Sequence, residues 1–154
     1  MQIRAMDQSD IAAVRNMFLA LYEHLGELGF SYQINADYLS EYLQFQLSSR
    51  LSQILVGEAA GELVGCIGVA ALGVNRKFLS EGCKYYGLIS EVYIEDRFRR
   101  CGYAAELVKA GENWLQKLGV NWITVEALME NQAARHLYEM LEFKPYYLSL
   151  VKKI

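Results

Sequence analysis

Proline is nearly missing. Pro145 is the only one in 154 residues, so no Pro-rich linker divides the chain, and its length suits one domain over residues 1–154. Cysteine is scarce as well. Cys66, Cys83 and Cys101 are odd in number, far apart and without CxxC or His/Cys clustering. A disulfide scaffold and a zinc site are therefore not expected, no metal is called for, and a reducing cytoplasm is the expected setting. No apolar run is long enough to span a bilayer, and residues 1–10 lack the apolar stretch of a signal peptide, so the chain reads as mature protein with no membrane partner. A basic excess is missing too. The net charge of −3 argues weakly against a nucleic-acid partner; it fits a small cationic acceptor, and fits an ordinary soluble protein better. Hydrophobic residues make up 53% of the chain, which disfavours disorder.

A short strand over residues 2–4 is followed by Asp7, which caps a helix with Asp10 standing three residues on as in a capping box. Ile11, Val14, Phe18, Leu21 and Leu25 recur at helical spacing, and Gly26 and Gly29 end the run. A second helix starts near Asn35 and carries Leu39, Tyr42, Phe45 and Leu47 on adjacent faces. Strand character takes over at 53–58 and 62–72, joined by the short turn at 59–61, and a loop covers 73–86. Residues 88–94 form a third strand, and a long helix runs from Gly102 to Leu118 on a stripe of Ala104, Leu107, Val108, Gly111, Leu115 and Leu118. Gly119 is its expected C′ residue. A strand at 121–127, a short helix capped by Asn131, and a final strand at 146–151 complete the order. That order predicts an α/β fold of the α+β type, with a mixed, mostly antiparallel sheet and helices on its faces. Strands 88–94 and 121–127, joined by the long helix, form a βαβ unit and should be parallel.

The chemistry concentrates between that third strand and the long helix. Arg99-Arg100-Cys101-Gly102-Tyr103-Ala104 sits where backbone N–H groups and the helix dipole converge. Gly102 and Ala104 are small enough to let an anion approach, and Arg97, Arg99 and Arg100 add positive charge. This describes a pyrophosphate site, although an isolated basic helix start would look similar. Neither a Walker-type G-x-x-x-x-G-K-[ST] nor a G-x-G-x-x-G dinucleotide fingerprint is present.

Arg99-x-x-Gly102-x-Ala104 resembles the Q/R-x-x-G-x-G/A signature of the GNAT N-acetyltransferase superfamily, and it follows Val92-Tyr93-Ile94 at the family's strand-to-loop spacing. Downstream, the run from Asn131 through Ala134 and Leu137 to Tyr138 is similar to the family's N-x-x-A-x-x-[LF]-Y segment, and Phe143 falls where Gly-Phe is usual. The resemblance covers residues 88–145 well, the hairpin region loosely and the first two helices scarcely. Asp96 stands where proline is frequent, and Arg100 and Glu142 where glycine is.

The resemblance implies acetyl-CoA as co-substrate, with its pyrophosphate on the backbone of Arg99, Arg100, Cys101, Gly102, Tyr103 and Ala104. It also implies a bulged strand that splays from its parallel neighbour. In that gap the backbone at Val92, Tyr93 and Ile94 would hold the pantetheine arm and polarise the thioester. Tyr138 becomes the candidate general acid for the leaving thiolate and, with Asn131, a coenzyme contact; as a plain core residue it would fit the Leu137–Leu141 face equally well. Glu91, an acid in an apolar strand, is the candidate base, or else a structural ion-pair partner. His136 points about 100° from Leu137 and reads as a surface residue, with His24 the other histidine. Cys101 lacks a histidine in a triad-like context and is not expected to act covalently.

The acceptor side should come from the first two helices, the 73–86 loop and the chain end. Tyr22, Glu23, Tyr32, Tyr38, Tyr42, Tyr85, Tyr86, Tyr146 and Tyr147 lie there and suit an ammonium-bearing molecule. The expected activity is acetylation of a primary amine on a small molecule. A catalytically silent acyl-CoA-binding domain and a protein N-terminal acetyltransferase are the alternatives. The apolar, tyrosine-rich run at 146–151 suggests an edge strand that pairs two copies into a homodimer.

Overall fold

The computed structural model describes residues 1–30, 33–73 and 84–152. The expected loop at 73–86 lies largely outside these, as do Tyr32 and Cys83. Strand β1 (Gln2–Ala5) leads into a 3-10 turn (Gln8–Asp10) and helix α1 (Ile11–Glu27). Both halves of the capping box are made: Asp7 Oδ1 accepts from Ser9 N–H at 2.8 Å, and Asp10 Oδ2 accepts from Asp7 N–H at 2.8 Å. Asp10 also takes Arg4 in a two-pronged ion pair at 2.5 and 2.9 Å, which is what makes its burial affordable.

Helix α2 (Ala36–Gln46) begins on Asn35, whose side chain accepts from the N–H groups of Asp37 and Tyr38. It buries Leu39, Leu43 and Gln46. Phe45, expected on a face adjacent to that of Leu39, is turned outward, because Leu43 and Gln46 complete the i, i+4, i+7 row with Leu39. Strands β2 (Ser52–Ala59) and β3 (Glu62–Gly73) are joined by Ala60 and Gly61, both at positive φ (52° and 80°), the geometry a two-residue hairpin needs.

Strand β4 (Tyr85–Ile94) precedes a 3-10 turn (Asp96–Phe98) and helix α3 (Tyr103–Lys117). Strand β5 (Ile123–Val125) and helix α4 (Gln132–Met140) follow. The sheet order is β1-β2-β3-β4-β5, antiparallel throughout except for the parallel pair β4–β5.

Two cores flank the sheet. On one side α1 and α2 pack Val14, Phe18, Leu39 and Leu43 over Ile54, Val56 and Cys66. On the other, α3 lays Leu107, Val108 and Leu115 over Ile67, Val69 and Ile89, each helix residue contributing about 2 kcal/mol by burial. Gly111 lets α3 come close: a Cβ there would stand 2.8 Å from Val69 Cγ1.

Two expected strands come out differently. Residues 121–127 yield only the three of β5, and 146–151 do not join the sheet at all. Tyr146, Leu148, Leu150 and Val151 are 73–88% exposed, and Tyr147 reaches only as far as Glu126, through a 3.0 Å hydroxyl hydrogen bond. A strand-like composition becomes a strand only where a neighbour offers a ladder, and β5 is too short to offer one.

Candidate active site

The site grows out of one extra residue in β4. Register runs regularly from Gly73 opposite Tyr85 to Val69 opposite Ile89, then resumes with Ile67 opposite Val92. Ser90 and Glu91 together therefore face Gly68, which is a β-bulge. Without the insertion, residue 91 would share the α3 side with Ile89. With it, Val92 and Ile94 join the α3-side core while Glu91 and Tyr93 turn to the α1–α2 side. Gly68 makes room, since a Cβ there would run into Ser90 Oγ and lie 2.6 Å from Glu91 Oε2.

The bulge also decides where the backbone points. Glu95 N–H bonds Val64 C=O at 2.9 Å, so residues 93 and 95 spend their peptide groups on β3. Residues 92 and 94 direct theirs the other way, toward the side on which β5 lies. Pairing with β5 covers only Gly87, Leu88 and Ile89, so β4 runs on through Ile94 with that edge open. Val92 and Ile94 thus face the gap, and Tyr93 does not: its ring is buried in the α1–α2 core.

The loop after β4 is braced from within. Arg99 Nε donates to Ile94 C=O at 3.1 Å, its guanidinium pairs with Asp96 at 2.7 Å, and it lies over the Tyr93 ring. Asp96, read from the sequence as a departure from proline, is the anchor of this clamp. Arg97 is committed to Glu62 and stacks on Phe98. Of the three arginines expected to supply charge, only Arg100 makes no ion pair among the described residues.

Arg100 and Gly102 both adopt positive φ, 62° and 80°. Gly102 then starts α3 without a side chain to cap it, leaving the first N–H groups at Tyr103 and Ala104 exposed to an incoming anion. Cys101 is exposed, its thiol directed to the Arg99 carbonyl.

Tyr138 projects from α4 into the α3-side core, 8% exposed and edge-on to Phe143 at 5.8 Å. Burial pushes its phenol up to about 12. Asn131, at the start of the same helix, uses Oδ1 to accept from Ala134 N–H at 3.1 Å, as its capping role requires. Glu91 lies across the sheet. Its carboxylate accepts from Tyr22 Oη at 3.1 Å and from Ser90 Oγ. Burial first, then the Glu91 charge, pushes Tyr22 up to about 12 and raises Tyr42 further.

A cavity of about 250 Å³ opens beside Glu91, between α1, α2 and the bulge, and Phe18, Tyr22, Ile34, Tyr38 and Tyr42 line it. Tyr138 and Glu91 therefore belong to opposite faces, with the open β4 edge between them. His136 is exposed and His24 pairs with Glu27 at 3.6 Å, so neither faces this cavity. In the sequence Gly68 suggests only tight packing and Ser90 carries no signal, because which residues meet at a bulge is a matter of register between two strands and not of either strand alone.

This architecture matches a known family model, acetyltransferase (GNAT), over residues 13–143. The chain belongs to the GNAT acetyltransferase family. An uncharacterized N-acetyltransferase of Bacillus subtilis, YhfO, is 24% identical over 142 residues, covering 90% of this chain and 87% of that protein. Among solved structures, a mutant of the BH1408 protein from Bacillus halodurans superposes with a TM-score of 0.86 at 17% identity, over 100% of this chain and 99% of that one. The aminoglycoside N-acetyltransferase AAC(6')-Iy in complex with CoA gives 0.78, also at 17% identity, over 99% and 93%.

Proposed function

We propose that this GNAT protein transfers the acetyl group of acetyl-CoA to a primary amine of a small molecule, the amine attacking the thioester directly. The observation that carries the proposal is the open backbone edge of β4 at Val92 and Ile94, set beside the uncapped start of α3. Residues 99–104 hold the pyrophosphate through backbone N–H groups, with Arg100 adding charge. The Val92 peptide groups and the N–H of Ile94, whose own carbonyl is held by Arg99, pair with the pantetheine arm as a strand would, and a free N–H on that edge polarises the thioester carbonyl.

Glu91 takes the proton of the amine, directly or through water. Tyr138 meets the leaving thiolate. A phenol held near 12 stays protonated at working pH, but full transfer to a thiolate whose conjugate acid has a pKa near 8.5 is uphill by roughly 5 kcal/mol. Tyr138 therefore donates a hydrogen bond to the forming thiolate and keeps its own proton, and the thiolate is protonated from solvent as the product separates. The free thiols of Cys66 and Cys101 fit a reducing cytoplasm. The exposed run at 146–151 fits pairing of two copies, and light scattering at micromolar concentration tests that: a dimer is expected, a monomer contradicts it.

The rival is a silent acyl-CoA-binding domain. It is favoured by one observation: the Glu91 oxygens already have partners in Tyr22 and Ser90. Thiol release from acetyl-CoA across a panel of small amines and peptide N-termini separates the readings. Turnover with small amines is expected; faster turnover with peptide N-termini moves the assignment to a protein acetyltransferase, and acetyl-CoA binding without turnover favours the silent domain.

A further inference from the structure

The cavity beside Glu91 has a composition that selects among amines. Glu91 is the only ionised side chain among its described lining residues. The rest of the wall is the rings of Phe18, Tyr22, Tyr38 and Tyr42, the aliphatic side chains of Ile34 and Leu39, and the neutral Asn35, whose side-chain oxygen accepts from the N–H groups of Asp37 and Tyr38. We propose that the acceptor is a monocationic amine on a compact apolar or aromatic body, and not a polycation; this rests on the acetyl-transfer reading above.

Three features support it. The carboxylate of Glu91 accepts from Tyr22 and Ser90 and keeps room for a further donor, but its single negative charge can balance one ammonium group and not several. A second or third ammonium would face Phe18 and Ile34 with no counter-charge, and an unpaired cation against an apolar wall loses hydration without compensation. Tyr22 and Tyr42 stay neutral across the working range, because burial and the Glu91 charge both hold their protons on, so they add no negative charge. Their ring faces are attractive to one cation and its hydrocarbon body together. The volume of about 250 Å³ lies at the low end for ligand pockets and favours a small acceptor.

The test is calorimetric titration of the full chain, preloaded with CoA, with phenethylamine, spermidine and a tetra-ammonium aminoglycoside in turn. Phenethylamine should bind roughly tenfold or more tightly than either polycation. Glu91→Gln should weaken it roughly tenfold, and Tyr38→Ala, at an exposed position that does not carry the core, several-fold. Equal or tighter binding of a polycation overturns the proposal, as does phenethylamine binding that is absent at millimolar concentration or unmoved by both substitutions. A separate titration of CoA alone distinguishes the two failures. Intact CoA binding with the wrong amine order removes only this inference, whereas loss of CoA binding removes the acetyl-transfer reading with it.

Discussion

Tyr138 packs in a core and is proposed to meet the leaving thiolate, two roles that one substitution can separate. Its ring fills the α3-side core, and its hydroxyl has no hydrogen bond to a described residue. Tyr138→Phe keeps the ring, so acetyl-CoA affinity and Tm should hold while kcat falls on the order of 10²-fold; stopped-assay kinetics checks this, and an unchanged kcat makes the hydroxyl structural. Arg100 and Glu142 both occupy left-handed backbone, at φ of 62° and 66°. Replacing either by glycine should stabilise the fold by about 1 kcal/mol, or roughly 2–4 °C in Tm. The two should differ in function: Arg100→Gly also removes the unpaired charge beside α3 and should weaken acetyl-CoA, while Glu142→Gly should not. Asp10 offers a pH test. The hydrogen bonds from Arg4 hold its carboxyl below the ordinary carboxylate range, so its stabilisation is full above pH ~4 and is lost as pH falls through the depressed value. Asp10→Asn should cost about 2 kcal/mol at neutral pH and flatten the acid limb of the denaturation profile.

At the scale of elements the β4 bulge is decisive, and Gly68 is its handle. The atoms that a Cβ would meet there include the movable tips of Ser90 and Glu91, so Gly68→Ala should fold with little loss of Tm. It should nevertheless displace the Glu91 carboxylate, raising KM for the amine and leaving acetyl-CoA affinity nearly unchanged; a variant with wild-type amine kinetics would show that the position of Glu91 does not matter. Elements with strong local signals were legible in the sequence. The Asp7–Asp10 box, the Asn35 and Asn131 caps, and the Leu107–Leu115 stripe all appear where periodicity and capping chemistry put them. What was not legible depended on partners. Residues 146–151 have strand composition but no ladder, and β5 shrinks to three residues alongside a neighbour whose edge stays open past Ile89. The arginines at 97 and 99 looked like free charge, and only the folded loop reveals Glu62 and Asp96 as their partners.

At the scale of the whole molecule, the sheet separates two cores, and the proposed reaction runs along the line between them. The α3 side holds the uncapped helix start proposed for the pyrophosphate and Tyr138; the α1–α2 side holds Glu91 and the aromatic cavity. The open edge of β4 joins the two. On that reading the pyrophosphate contacts at the start of α3 lie apart from the acceptor cavity, and a truncated donor should expose their weight. The most direct test is calorimetric titration of the full chain with acetyl-CoA and, in parallel, with S-acetyl-cysteamine, which keeps the thioester and lacks the pyrophosphate. A micromolar Kd for acetyl-CoA, weakened on the order of 100-fold or more without the pyrophosphate, is the expected result. No detectable heat with millimolar acetyl-CoA, or equal affinity for both donors, would contradict the assignment of residues 99–104 and the β4 edge as the coenzyme site.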